Sequence, residues 1–244
     1  MSIEKKRTTG SGVMRVIGIV GMIAGIILIQ ASFIILSSLD YLEEAKRLMD
    51  SINKRIDSND LEGAKKDARD LDRISNTVMD ISSRFLYVSL LGCTLLLFSS
   101  FGFYILRGSF GSIATWAFLW TFISSVMLML YSFYLATTLY HIGDAVQDFA
   151  NLIIEEDIDK AEEALAAINA AEVSLVVAEV FGLLSIITTF IGSICAFLTL
   201  RRYSKVSMMG SIFMIIGSIF WLGIYGIVYG FGMFFVGLGF LIKG

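Results

Sequence analysis

Apolar positions dominate this chain in long uninterrupted runs, and two charged islands punctuate them. The runs cover residues 13–38, 85–106, 110–140, 173–200 and 206–242. Each is long enough for a membrane span, which needs about 20 apolar residues. Alternating segments of about ten residues, the signature of a transmembrane β-barrel, do not occur. The pattern therefore predicts an all-α polytopic membrane protein with about five long transmembrane helices.

The islands carry a different rhythm. In residues 39–84, Leu42, Ala45, Met49, Ile52 and Ile56 recur at spacings of three and four. After Ser58-Asn59-Asp60 the rhythm resumes through Leu61, Ala64, Ala68, Leu71, Ile74, Val78, Ile81 and Phe85. This is the stripe of a helix that packs along one face, and the break supplies good N-cap residues. Residues 141–172 repeat the plan. Ile142, Ala145, Phe149 and Leu152 form one stripe, Ile158, Ala161, Leu165 and Ile168 the other, and Asp157 is the expected cap. Both islands read as extramembrane helical hairpins that continue the membrane helices.

The order of features suggests an internal duplication. Asp60, Leu61 and Ala64 align with Asp157, Ile158 and Ala161. Phe85 and Phe181 open the return spans, and Arg107 and Arg201 close them. Each unit crosses the membrane twice, so the copies are parallel. Many secondary transporters use inverted repeats instead.

The last run is longer than one membrane thickness. The run covers 206–242; as one helix, residues 207–242 span about 54 Å, whereas a break at 223–232 leaves a second half of about 12 residues, short for a full crossing. The expectation is that its outer third leaves the bilayer and fills a groove between the hairpins. The runner-up is a sixth span with the C-terminus inside, supported by Lys243. Gly210, Gly217, Gly223, Gly226, Gly230 and Gly237 mark this run, and Gly18, Gly21 and Gly25 mark the first. Small residues on one face let membrane helices approach closely, so these nine are expected to be helix-packing positions. GxG also occurs at Gly230–Gly232 and Gly237–Gly239, where packing explains it better than phosphate binding does.

Composition sharpens this picture. Of 244 residues, 56% are hydrophobic and none is proline, so long unkinked helices are expected. Residues 1–12 are basic and polar, and read as a disordered N-terminus ahead of an uncleaved first span. The short connections carry Lys5, Lys6, Arg7, Arg15, Arg107, Arg201, Arg202 and Lys205 against one acid, Glu4. The positive-inside rule then predicts a multi-pass protein of the cell membrane with a cytoplasmic N-terminus. The first island is nearly balanced, with nine Lys and Arg against eleven Asp and Glu in residues 39–84, and adds little to that assignment.

Candidate chemistry is sparse. Glu179, about six residues into the fourth span, and Gln30 in the first are the candidate intramembrane polar sites. Ionisable groups inside spans are costly and usually functional, whereas Glu179 also fits an interfacial position. Gln30 suits an interhelical hydrogen bond. His141 stands without a Cys, His or carboxylate cluster, Cys93 and Cys195 fit buried packing, and no P-loop, HExxH or GxSxG sequence is present. No catalytic residue, metal or cofactor is expected, and nothing points to nucleic acid. The Ser and Thr pairs at 99–100, 124–125, 137–138 and 188–189 either line a polar path or bond to their own helix. The sequence thus favours a non-catalytic membrane subunit or scaffold whose partners are the bilayer and a second copy or other membrane subunits. The alternative is a channel or uncoupled transporter with a Ser/Thr-lined path between the repeats.

Overall fold

The computed structural model describes residues 2–219 and 223–243. Among these the chain is all-helical. Four long helices come first: α1 (Ser2–Asp57), α2 (Leu61–Phe110), α3 (Ser112–Ile154) and α4 (Ile158–Leu200). Two shorter ones follow, α5 (Lys205–Gly217) and α6 (Gly223–Lys243). Five of the six contain a stretch long and apolar enough to cross a membrane, the exception being α5. At 1.5 Å per residue, the 56 residues of α1 extend about 84 Å. Such length without a break is possible because no proline interrupts the hydrogen-bond ladder.

The chain divides into two units, and α1 to α4 each contribute to both. The second comprises residues 34–86 and 133–179. Its core is lined by Ala45 and Ile52 of α1, Ala68 and Leu71 of α2, Phe149 and Ile153 of α3, and Ala161 and Ile168 of α4. The predicted stripe of α1 enters this core, and that of α2 does so from Ala64 to Val78, although Leu61 is 39% exposed. In α3 the stripe is displaced. Val146, Ala150 and Ile153 are buried beside Phe149, while Ile142, Ala145 and Leu152 are only partly so. A four-sided core collects residues from both flanks of a helix, so a two-position seam understates what is buried.

The first unit comprises residues 1–33, 87–132 and 180–244. Here the expected single helix over 206–242 is corrected. The chain forms α5 and α6 instead, and these two pack on each other. Gly210 lies against Gly232 and Val236, and Gly217 against Tyr229, so the pair is antiparallel. The outer third, residues 230–242, therefore fills no groove between hairpins. The stripes of α1 to α4 in the second unit bury one another, and Tyr229, Met233, Val236 and Phe240 belong to the core of the first.

Candidate functional site

The closest helix contacts are made backbone to backbone at glycine. A Cβ placed on Gly18 would sit 2.6 Å from the Gly237 carbonyl oxygen and 2.7 Å from the Leu241 nitrogen. Gly237 is blocked in return by the Gly18 carbonyl and by the Met22 nitrogen at 2.7 Å. One heptad along, Gly25 faces the Gly230 carbonyl and the Phe234 nitrogen, and Gly230 faces the Gly25 carbonyl at 2.6 Å. Real Cβ atoms do not approach so closely, so side chains at these four sites would force α1 and α6 apart. Gly21 meets Ser99 Oγ at 2.7 Å, and Gly226 meets Ser32 Oγ. Gly223 opens α6. Trp221, whose place in the sequence fits an interfacial belt or helix packing, lies outside the described residues.

The other side of α6 is also glycine. Gly232 is met by the Gly210 carbonyl and the Met214 nitrogen, both at 2.7 Å, and Gly239 by Ser207. Gly232 and Gly239 entered the sequence reading only as the second members of the two GxG steps, read there as packing. The two GxG steps carried that signal, because positions two apart on a helix differ by about 200°. Gly230 and Gly237 thus address α1 while Gly232 and Gly239 address α5, and α6 is held between them. Since α6 runs antiparallel to α1, its last turn lies beside the beginning of the apolar stretch of α1.

Small hydroxyls fill the remaining gaps. Every buried polar residue among those described is Ser or Thr. Ser100, Ser125 and Thr188 donate to the carbonyls of Leu97, Thr121 and Leu184 at 2.7, 2.8 and 2.9 Å. Such back-bonding satisfies a hydroxyl within its own helix. Ser124 and Thr189 instead bond across α3 and α4. Ser99 Oγ and Ser193 Oγ are buried without a hydrogen-bond partner.

The two sequence-predicted polar sites lie in different units, Gln30 in the first and Glu179 in the second. Glu179 on α4 and Gln30 on α1 are both exposed, and among the described residues the interhelical bond expected of Gln30 is not made. His141 is exposed beside Tyr140, their ring centroids 6.2 Å apart. Cys93 is buried and Cys195 half-buried, and both are free thiols. Among the described residues, no three His, Cys, Asp or Glu side chains converge to hold a metal ion. A cavity of about 180 Å³ in the second unit is lined by Ser82, Ser83, Leu86, Ala136, Thr137 and Tyr140. The hydroxyls of Ser82 and Ser83 are already committed to the Val78 and Met79 carbonyls.

The turns joining α1 to α2 and α3 to α4 have the same construction. Asp60 N–H donates to the Arg55 carbonyl at 2.8 Å, and Asn59 N–H to that of Ile56 at 3.0 Å. At corresponding positions Asp157 N–H donates to Leu152 at 3.0 Å, and Glu156 N–H to Ile153 at 3.3 Å. This is the Schellman closure of a helix C-terminus. Its left-handed residue is Asn59 (φ 62°) in one turn and Glu156 (φ 64°) in the other. The next residue immediately caps the following helix. Asp60 accepts from Gly63 N–H at 3.1 Å, and Asp157 from Lys160 N–H at 3.4 Å.

Charge pairs surround both turns. Arg55 spans Asp67 at 2.8 Å and Asp60 at 2.7 Å, and Lys65 of α2 reaches Glu156 across the unit. The Gly63 amide and the Arg55 guanidinium hold the Asp60 carboxyl below its ordinary range. Lys65 does the same for Glu156, and Lys160 for Asp157. Comparison with known proteins found no matching family model, no similar curated protein and no similar solved structure.

Proposed function

We propose that this chain is a non-catalytic integral membrane subunit or scaffold that packs with partner chains and presents two acidic helical hairpins outside the cell membrane. The observation that carries the reading is the pair of glycine faces on α6, seated on α1 and α5 through backbone atoms. Such an interior is built for close helix association. The buried polar set of Ser and Thr, mostly bonded to their own helices, agrees with a packing role. Enzyme activity is not part of this reading.

The same reading includes an internal duplication and an orientation. Support for duplication comes from the twin turns, whose Schellman bonds, left-handed residue and capping Asp occur at corresponding positions. Support for a cytoplasmic N-terminus comes from the basic short connections. With α6 antiparallel to α1, the C-terminal end then faces the cytoplasm as well.

The second reading, a channel or uncoupled transporter, is favoured by one observation, the Ser124–Thr189 hydroxyl pair between α3 and α4. Reconstitution of wild type, Gly230→Leu and Glu179→Gln separates the two. For a scaffold, Gly230→Leu reduces recovery of the stoichiometric complex, Glu179→Gln assembles normally, and no specific flux accompanies either. If Glu179→Gln abolishes a specific flux while Gly230→Leu assembles as wild type, the transporter reading replaces the scaffold.

A further inference from the structure

One face of α1 lacks the partner that its chemistry requires. Gly18 and Gly25 turn the opposite side of the helix toward α6. Outward, Val16, Ile19, Ile23, Ile26 and Phe33 are 61, 47, 44, 46 and 60% exposed. Gln30 is exposed among them. The spacing through these six positions is three, four, three, four, three, which is an a/d heptad seam with Val16, Ile23 and Gln30 at one position and Ile19, Ile26 and Phe33 at the other. Exposed faces elsewhere in the first unit suit lipid: Leu91, Phe98, Phe101 and Ile105 of α2 and Val180, Leu183 and Ile187 of α4 are apolar, and Thr94 beside the α2 set bonds to the Leu90 carbonyl of its own helix.

Gln30 does not suit lipid. It lies fifteen residues beyond Arg15 and ten before Asp40, about 22 Å and 15 Å along the helix. A hydrocarbon core of about 30 Å that begins near Arg15 therefore contains it. Acyl chains offer its amide neither a donor nor an acceptor.

We propose that α1 forms a parallel homodimer seam in the membrane, with Gln30 hydrogen-bonded to Gln30 of a second copy across a two-fold axis along the membrane normal. All copies of a membrane protein share one orientation, so a parallel pair of α1 helices brings the two amides to the same depth. An amide carries a donor and an acceptor, so two of them satisfy each other reciprocally. A single polar residue at an a position fixes the register and oligomer state of a coiled coil, and the reciprocal pairing of two amides is what sets the number of copies at two. This dimer rests on the membrane-subunit reading and names one partner for it.

The test uses the full chain in lipid vesicles, with copy number counted by single-molecule photobleaching as protein is diluted into lipid. Wild type is expected to be dimeric. Gln30→Leu should raise the dissociation constant about three- to thirtyfold, the range measured for interhelical polar bonds in membranes. Gln30→Asn should remain close to wild type, and Leu91→Ala on the α2 face should be neutral. Gln30 is exposed, so these variants leave the fold intact. In a Cys93→Ala, Cys195→Ala background, Ile26→Cys should oxidise to a covalent dimer and Leu91→Cys should not. A monomer at every dilution, a trimer or larger ring, or a Gln30→Leu protein as tight as wild type would each overturn the proposal. A wild-type monomer that still co-purifies with other stoichiometric chains removes the dimer and leaves the scaffold. An intact dimer that carries a specific flux does the reverse.

Discussion

A glycine is worth as much as the backbone it touches. Gly230→Leu meets the Gly25 carbonyl and Ile29, neither of which can yield without moving α1. Overpacking of this kind costs about 1–3 kcal/mol, and a denaturant titration in detergent should show at least that loss. Gly108 has open space around its Cβ direction. Gly108→Ala should therefore stabilise α2 by about 0.5–1 kcal/mol. The turns make a second contrast at this scale. Glu156 adopts a left-handed φ of 64°, which costs an L-residue about 1–2 kcal/mol. Glu156→Gly removes that strain and forfeits only the surface ion pair with Lys65, a kind of contact that contributes little. Thermal melts should place Glu156→Gly at or above wild type and Glu156→Val clearly below it. The glycines of α1 and the α1-facing glycines of α6 were legible because each pair recurs at one heptad, the signature of a single contact line. Gly232 and Gly239 were read as packing through the GxG steps, but that they form a second contact line, facing α5, was not legible because two lines on one helix overlap in the sequence. Gln30 was recognised as polar, but the sequence could not show that its side of α1 is left uncovered.

At the level of elements, the turn at Ser58-Asn59-Asp60 was legible because Asn tolerates the left-handed position and Asp caps the next helix. The turn at Glu155–Asp157 announced only its cap, because Glu is an unusual residue for that geometry. The break between α5 and α6 was only weakly marked: Gly217 and Gly223 flank it, but glycines recur along the whole run. The stretch around it has no proline and no charge, and apolar character continues on both sides. The helix ends because two glycine faces gain more by closing on each other than one long helix gains by leaving the bilayer. Spin labels at Met209→Cys and Ile242→Cys, in a background free of Cys93 and Cys195, measure this directly. One straight helix would hold the two positions about 50 Å apart. The antiparallel pair should bring them within about 20 Å, a helix diameter plus a few turns. A further pairing is available between α1 and α2. A Cβ on Gly21 would lie 3.7 Å from that of Ser99, within the range a disulfide requires. Gly21→Cys with Ser99→Cys, in that background, should cross-link on mild oxidation, read as a mobility shift on a non-reducing gel.

Across the whole molecule, acid should weaken the second unit first. Asp60, Glu156 and Asp157 have carboxyl groups held below their ordinary values by Gly63 and Arg55, by Lys65 and by Lys160. A carboxylate with a depressed folded pKa contributes stability above its unfolded value, near 4. That contribution is lost as pH falls through the lower, folded value. Amide protection in the α1–α2 and α3–α4 turns, taken relative to the intrinsic exchange rate at each pH, should therefore hold down to about pH 4 and fall below it. Orientation belongs to this scale as well. Cysteine at the exposed positions Ser58 and Arg107 should divide under an impermeant maleimide on intact cells, with 58 labelled and 107 protected. The reverse pattern would invert the membrane topology. The seating of the last helix on the first also sets a schedule. The partner of Gly18 and Gly25 on α1 is α6, which leaves the ribosome about two hundred residues later. At about 5–20 residues per second, the first helix waits roughly 10–40 s for the last. During that interval its glycine face is open to any passing helix, so assembly of this protein is a race between its own final segment and its neighbours.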